Sequence, residues 1–85
     1  MRYQITWGVL AEQMLARIWL ASRNRAALTR AVAWLEKHLA TRPLELGESR
    51  ASSVQRVAFW APIGIEFEII QDDNRVVVQG VFSME

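Results

Sequence analysis

The chain has 85 residues, a formal net charge of +1 and no cysteine. The absence of cysteine excludes a disulfide framework and a thiolate zinc site. The small net charge argues against a strongly basic surface that steers nucleic acid onto the protein. With glycine counted and tyrosine left out, apolar residues make up about 55% of the sequence, above the ~45–50% of typical soluble domains. A domain of this size has little interior, so we expect another chain to cover part of the apolar surface.

We expect one domain, residues 1–85, in the cytoplasm, because no apolar run is long enough to cross a bilayer and no charged leader precedes a cleavage site. No cofactor motif is present, and the one histidine, His38, cannot form a metal site without partners. Nine of the ten basic side chains are arginine, which binds phosphate and carboxylate well. An arginine-rich genome produces the same bias, so the bias alone predicts no site.

The first half of the chain begins with a predicted strand and a predicted helix. Residues 2–7 alternate between polar and apolar, as in a half-buried strand, and Gly8 is placed to cap the helix that follows. That helix is predicted over about residues 9–21. Its apolar face consists of Ala11, Leu15, Ile18 and Trp19. Leu10 and Leu20 fall on the opposite side, where a monomer would have polar residues.

A second helix is predicted over about residues 25–40, with Ser22 or Asn24 as its N-cap and Pro43 beyond its end. Its apolar stripe consists of Leu28, Val32, Leu35 and Leu39. The link to the first helix is short, so the two helices are expected to form an antiparallel hairpin.

The second half of the chain predicts three strands. Apolar residues alternate over residues 56–60 and again over 63–69, with a turn containing proline between them. After the polar turn QDDN, residues 75–82 are apolar on both faces, as in a strand inside a sheet. The element order is therefore strand-helix-helix-strand-strand-strand. It predicts an α+β fold with the helical hairpin on one face of a small, mainly antiparallel sheet and the other face open.

Three segments carry a resemblance to a known family: "TWGVLAEQMLARIW" after the first strand, "RPLELGESR" closing the hairpin, and "RVAF…PIGIEFEI…RVVVQGV" at the end. Together they resemble the RelE/ParE superfamily of toxins from type II toxin–antitoxin pairs, over nearly the whole chain. RelE-like members cut messenger RNA in the ribosomal A site, and ParE-like members poison DNA gyrase. The resemblance also implies an antitoxin that covers the toxin with a helix or a strand. It does not choose between the two targets.

The resemblance places catalytic cations of RelE-like enzymes on the open sheet face, at positions matched here by Arg50, Arg56 and Arg75. These enzymes need no metal, but many use a Tyr or His near the C-terminus. This chain continues from Phe82 only with "SME", and Tyr3, its one tyrosine, falls on the apolar face of the first strand. The acid–base pair that ribonuclease chemistry requires is missing.

Arg56 has a structural alternative. A hairpin turn at 60–64 would place it opposite Glu66 or Glu68, as a cross-strand ion pair, and we favour that role over catalysis. The same two carboxylates would repel RNA. For Arg50, contact with an anionic ligand and a solvated loop charge remain open.

Three apolar side chains are candidates for a partner surface. Alternation places Trp60 on the open sheet face, where it could stack on a base, rest against Arg56 or, as we favour, pack under an antitoxin. Leu10 and Leu20 are expected to contact an antitoxin or a second copy of the chain. We therefore predict a toxin that acts by binding, with gyrase ahead of the ribosome as its target. A RelE-like ribonuclease and a non-catalytic interaction module are the alternatives.

Overall fold

The computed structural model describes residues 2–52 and 54–85, with the backbone alone at 50–52. The elements in chain order are β1 (Gln4–Trp7), α1 (Val9–Ala21), α2 (Arg25–Thr41), β2 (Glu48–Ser52), β3 (Gln55–Trp60), β4 (Ile63–Ile70) and β5 (Arg75–Ser83). The predicted α+β class and helical hairpin are confirmed. The predicted order lacked one strand, β2. Within the described residues, neither helix has the length and the hydropathy needed to span a bilayer.

The strands form one sheet in the order β1-β5-β4-β3-β2. β1 runs parallel to β5, and the other neighbours are antiparallel, so the sheet is mainly antiparallel as predicted. β5 lies between β1 and β4. Its apolar residues Val76, Val78 and Val81 are buried, whereas Val77 and Phe82, which point to the open face, are only half-buried. Its register shifts around Gln79, because Glu66 pairs with Gly80 while Phe67 pairs with Val78. This bulge lets Val78 and Val81 face the core although they are three residues apart.

β2 escaped prediction because its sequence, ESRAS, has none of the β-branched or aromatic residues that indicate a strand. It is an edge strand that pairs only with β3. The turn before it depends on Gly47, which has a φ of 72° and whose Cβ, if it had one, would collide with the carbonyl oxygen of Val57. β2 therefore follows from pairing and turn geometry and not from strand propensity.

Both helices cover one side of the sheet, which we call the helix-covered face; the other side is the open face. The core is made by Ala11 of α1, the buried stripe of α2 and the inward side chains of β3 to β5. Its largest buried members are Phe67, Leu28, Leu35, Leu39, Ile63 and Ile65. The predicted stripe of α2 is confirmed, except that Val32 is only partly buried. Asn24 caps this helix, with its Oδ1 accepting a 3.0 Å hydrogen bond from the Ala27 amide.

Candidate functional site

Arg56 lies on the helix-covered face and not on the open face. Its register partner on β4 is the buried Phe67, while Glu66 and Glu68 occupy neighbouring positions that point to the opposite side. The predicted ion pair between Arg56 and one of these glutamates is therefore wrong. The physical reason is the hairpin register: Trp60 pairs with Ile63, so residues at even positions of β3 share a face with the odd, apolar positions of β4.

The guanidinium of Arg56 binds the segment that leads into β2. Its Nε donates to the carbonyl oxygen of Leu46 at 2.9 Å, and its Nη2 donates to that of Gly47 at 2.8 Å. Its Nη1 donates to the hydroxyl of Ser49, its direct neighbour on β2, at 3.1 Å. Three donors directed at one turn and strand join β2 to β3. The structural role expected of Arg56 thus has different partners from those predicted.

Arg75 occupies a different face from Arg56. It is exposed at the start of β5, and the next residue, Val76, is fully buried in the core, so Arg75 points to the open face. Of the three predicted catalytic arginines, the structure does not bring Arg56 and Arg75 together. The side chain of Arg50, on the edge strand β2, lies outside the described part of the chain.

Acidic side chains lie on the open face, as expected. Glu66 is exposed in the middle of β4, and Glu68 accepts a 3.3 Å hydrogen bond from the side-chain amide of Gln79. Among residues 2–52 and 54–85, neither carboxylate forms a hydrogen bond or an ion pair with an arginine. Their charges repel the phosphates of a nucleic acid.

Aromatic side chains occupy one end of the same open face. Phe59 and Phe82 meet edge to face, with ring centroids 5.6 Å apart. Between them lies Gly64, whose missing side chain leaves room for the Phe82 ring. Phe59 remains 52% exposed. The open face therefore combines carboxylates with exposed aromatic surface, a combination suited to a protein partner.

Trp60 also lies on the helix-covered face, which corrects its predicted position on the open face. Its indole stacks on that of Trp34 in α2, with centroids 3.8 Å apart, and His38 stacks on Trp34 at the same distance. The three rings form a continuous stack in which Trp34 is the middle member. His38 Nδ1 donates to the carbonyl oxygen of Trp34 at 2.9 Å, so the histidine is held in the stack. Trp60 keeps 43% of its surface exposed at the end of the stack.

The C-terminal segment contributes to packing in the structure. The amide of Met84 donates to the carbonyl oxygen of Pro62 at 2.8 Å, and Glu85 accepts a hydrogen bond from the hydroxyl of Ser22 at 3.1 Å. Tyr3 packs against the core, and its backbone amide donates to the carbonyl oxygen of Ala40. Neither segment places an acid or a base beside Arg75 on the open face.

An apolar groove runs along the outside of the helical hairpin, with an open volume of about 590 Å³. We call it the hairpin groove. Its apolar lining consists of Trp7, Leu15, Ala16, Trp19, Leu20 and Val32. Leu20 is 74% exposed and Leu10, at the other end of α1, is 61% exposed, so the prediction that both point away from the core is confirmed. The groove itself was not predicted, because it is formed by residues of β1, α1 and α2 that only the tertiary packing brings together.

A partly buried hydrogen bond between two side chains lies at one end of this groove. The Trp7 indole Nε1 donates to a carboxylate oxygen of Glu36 at 3.0 Å, across 29 residues of sequence. This contact joins β1 to α2. One feature of the sequence hints at this contact, since an indole on the apolar face of a strand requires an acceptor for its N–H.

Similarity searches give structural relatives only. No protein-family model matches the chain, and no curated protein sequence matches it significantly. A chain of the toxin–antitoxin complex RelBE2 from Mycobacterium tuberculosis is similar with a TM-score of 0.75 and 21% identity, over 98% of this chain and 99% of that one. The isolated RelE toxin of E. coli has a TM-score of 0.70 and 18% identity, over 98% of this chain and 85% of that one.

A chain of the chromosomal ParDE toxin–antitoxin system from P. aeruginosa is similar as well, with a TM-score of 0.66 and 12% identity, over 99% of this chain and 98% of that one. Chains of RelE and ParE systems thus both match over almost the whole of this chain, and the likeness does not separate their targets. At these identities the comparisons establish the architecture. The chain has the fold shared by RelE and ParE toxin–antitoxin structures.

Proposed function

We propose that this protein is the toxin of a type II toxin–antitoxin pair and that it acts by binding a protein target, with ParE-like inhibition of DNA gyrase as the favoured mode. The fold, shared over almost the whole chain with RelE and ParE structures, supports the toxin class. The observation that carries the binding mode is the placement of Arg56 and Arg75 on opposite faces of the sheet.

Ribonuclease chemistry needs cations and proton-transfer groups that converge on one phosphate. The negative charge that develops on that phosphate is stabilised only by donors already aimed at it, and a general base must lie within hydrogen-bond reach of the proton it removes. In this protein the donors of Arg56 are directed at Leu46, Gly47 and Ser49. The open face presents Glu66 and Glu68 near its centre. Both features disfavour phosphate binding there.

The open face has the composition of a protein-binding surface. Aromatic side chains are enriched in the centres of protein interfaces, and on the open face Phe59 is exposed and packs against the half-buried Phe82. The neighbouring carboxylates of Glu66 and Glu68 add a preference for a basic partner surface. A protein target such as gyrase fits these groups better than messenger RNA does.

We assign Leu10 and Leu20 on α1 and the exposed edge of Trp60 to contact with the antitoxin. Each leaves apolar area in water in a free monomer, and covering that area would stabilise a toxin of this size. Leu20 also lines the hairpin groove, which offers room for the apolar side of an antitoxin helix.

Induced expression in a bacterial host tests the toxin class. We expect growth to stop on induction and to resume when the product of the neighbouring short reading frame is co-expressed. A Leu35→Asp variant, which places a charge in the core, serves as the unfolded control and should not arrest growth. If the folded chain leaves growth unchanged in a host whose gyrase and ribosomes are sensitive to known toxins, the alternative of a non-catalytic interaction module replaces the toxin proposal.

Primer extension on messenger RNA from the arrested cells tests the mode. We expect no new cuts at codons in the ribosomal A site. Reproducible cuts that disappear in Arg50→Ala or Arg75→Ala would establish the RelE-like ribonuclease alternative instead.

A further inference from the structure

The hairpin groove carries opposite charges at its two ends. At one end Glu12 of α1 and Glu36 of α2 line the groove and the shallow depression beside it. At the other end the guanidinium of Arg25 lies over the ring of Trp19, 5.6 Å from its centroid. Within the described residues the one ion pair joins Arg42 and Glu45, away from this groove, so the charges at the two ends of the groove do not neutralise one another.

Local contacts fix the positive end. Arg25 Nε donates to the carbonyl oxygen of Trp19 at 2.9 Å, and its Nη2 donates to that of Leu20 at 3.4 Å. These bonds leave N–H groups of the same guanidinium for a carboxylate from outside. At the negative end, the bond from Trp7 holds Glu36 in place while Glu12 is exposed. Arg25 and Glu36 are therefore held in place by local contacts, and Glu12 is accessible to a cation from outside.

The spacing of the two ends gives the groove an approximate twofold complementarity. Arg25 lies at the level of Trp19 on α1. Glu12 and Trp19 are seven residues apart, which is about 10 Å along the helix axis. Ala16 lies between them, and its small side chain allows another helix to approach closely. A twofold axis beside Ala16 brings the negative end of one copy against the positive end of another.

We propose that a second copy of this chain occupies the hairpin groove, in a symmetric pair with the two α1 helices antiparallel across a twofold axis at Ala16. Leu20 of each copy, 74% exposed, enters the apolar groove of the other copy, which has space of about 590 Å³. Glu12 of each copy then faces Arg25 of the other. Such a contact is isologous, because the same patch serves both chains and the pair closes without further growth.

The pair would also regulate the free protein. Leu20 belongs both to this contact and to the surface assigned above to the antitoxin, so the two partners exclude each other. That competition rests on the proposed toxin function. Dimer formation itself does not, and it is measured on the purified chain with no partner or target present.

Sedimentation velocity of the purified chain over a range of concentrations tests the proposal. We expect a reversible monomer–dimer equilibrium with a dissociation constant of roughly 1–100 μM, as befits a small interface. Leu20→Glu should raise that constant by at least about tenfold, since it buries a charge in an apolar contact. Glu12→Arg and Arg25→Glu should each raise it several-fold, because each places like charges across the twofold axis.

The double variant Glu12→Arg/Arg25→Glu decides the geometry, because the exchanged charges again face opposite partners and the dissociation constant should return towards that of the original chain. Arg30→Glu, an exposed charge reversal on α2 outside the groove, is the matched control and should leave it unchanged. Circular dichroism of each variant confirms that it is folded.

A monomer at about 0.5 mM, a dimer indifferent to Leu20→Glu, or a double variant weaker than both single variants would overturn the proposal. Growth arrest by a chain that is strictly monomeric would overturn it while leaving the toxin function intact.

Discussion

The indole of Trp60 on β3 stacks on the indole of Trp34 on α2, with ring centroids 3.8 Å apart and planes inclined by only 10°. Because the opposite ring face of Trp34 is covered by His38, the helix residue is enclosed between a strand residue and a residue of its own helix. This stack is the aromatic contact that holds the C-terminal half of α2 against the sheet. Trp60, for which the sequence favours contact with an antitoxin, thus also has a place in the packing of the domain itself.

Removal of this ring should therefore destabilise the fold. We expect Trp60→Ala to lower the free energy of unfolding by about 1–3 kcal/mol, less than for a fully buried tryptophan because 43% of the side chain is exposed. Trp60→Phe retains part of the stack and should cost less. Urea denaturation followed by circular dichroism measures both. Equal stability of Trp60→Ala and the original chain would show that Trp60 serves only an external partner.

Leu35 lies at the centre of the core, with 0% of its surface exposed. Leu35→Ala removes buried methylene groups and leaves a cavity, which should cost about 2–5 kcal/mol, a large share of the stability of a domain this small. Arg30→Ala on the outer side of the same helix should change the free energy of unfolding by less than about 0.5 kcal/mol. Thermal melts of the two variants make the comparison. A Leu35→Ala melt that coincides with that of Arg30→Ala would contradict the packing of α2.

Gly64 is required by the ring of Phe82. A Cβ added at Gly64 would collide with that ring and would also lie 2.9 Å from the ring of Phe59. We expect Gly64→Ala to lower the free energy of unfolding by about 1–3 kcal/mol through this overlap. Combined with Phe82→Ala, which clears the space, the substitution should cost much less. A double-mutant cycle measures the coupling, and strictly additive effects would contradict the predicted clash.

The hydrogen bonds of Arg56 predict that a lysine cannot replace it. Arg56→Ala should destabilise the β2–β3 pair, and Arg56→Lys should restore little of the loss, because an ammonium cannot reach two carbonyl oxygens and a hydroxyl in the same planar arrangement. We expect a cost of about 1–3 kcal/mol for either change. Hydrogen exchange at the amides of β3 and equilibrium denaturation report it. Full stability of Arg56→Lys would show that only the charge matters.

Periodicity alone was sufficient for the helices and for β4 and β5. The helical spacing of Leu28, Leu35 and Leu39 requires no tertiary knowledge, and alternation over β4 separates its buried residues from Glu66 and Glu68. Periodicity fails on β3, because both of its faces carry apolar residues. The alternation alone does not decide whether the even or the odd positions face the core. The hairpin register, fixed by the turn after Trp60, selects the phase, and a shift of one residue exchanges the faces of every side chain. Arg56 and Trp60 were misplaced for this one reason.

The candidate surfaces were predictable only in part. The exposure of Leu10 and Leu20 is predictable from helical periodicity, because it depends on the residues of α1 alone. The groove beside Leu20 depends on how α1 and α2 pack together and on the position of Trp7 at the end of β1. The hydrogen bond between Trp7 and Glu36 joins residues that are 29 positions apart in sequence. Contacts between elements of this kind have no periodic signature in the sequence.

Parallel reactions of the purified chain with DNA gyrase and with translating ribosomes test the binding-toxin proposal most directly. In the gyrase reaction, the proposal predicts concentration-dependent loss of supercoiling or accumulation of gyrase-linked DNA breaks. Folded Arg56→Lys protein should have the same effect on gyrase. In the ribosome reaction, it predicts intact messenger RNA at every concentration that affects gyrase, because Arg56 and Arg75, two of the three predicted catalytic arginines, lie on opposite faces of the sheet. Messenger RNA cut in the A site while gyrase remains fully active would contradict it.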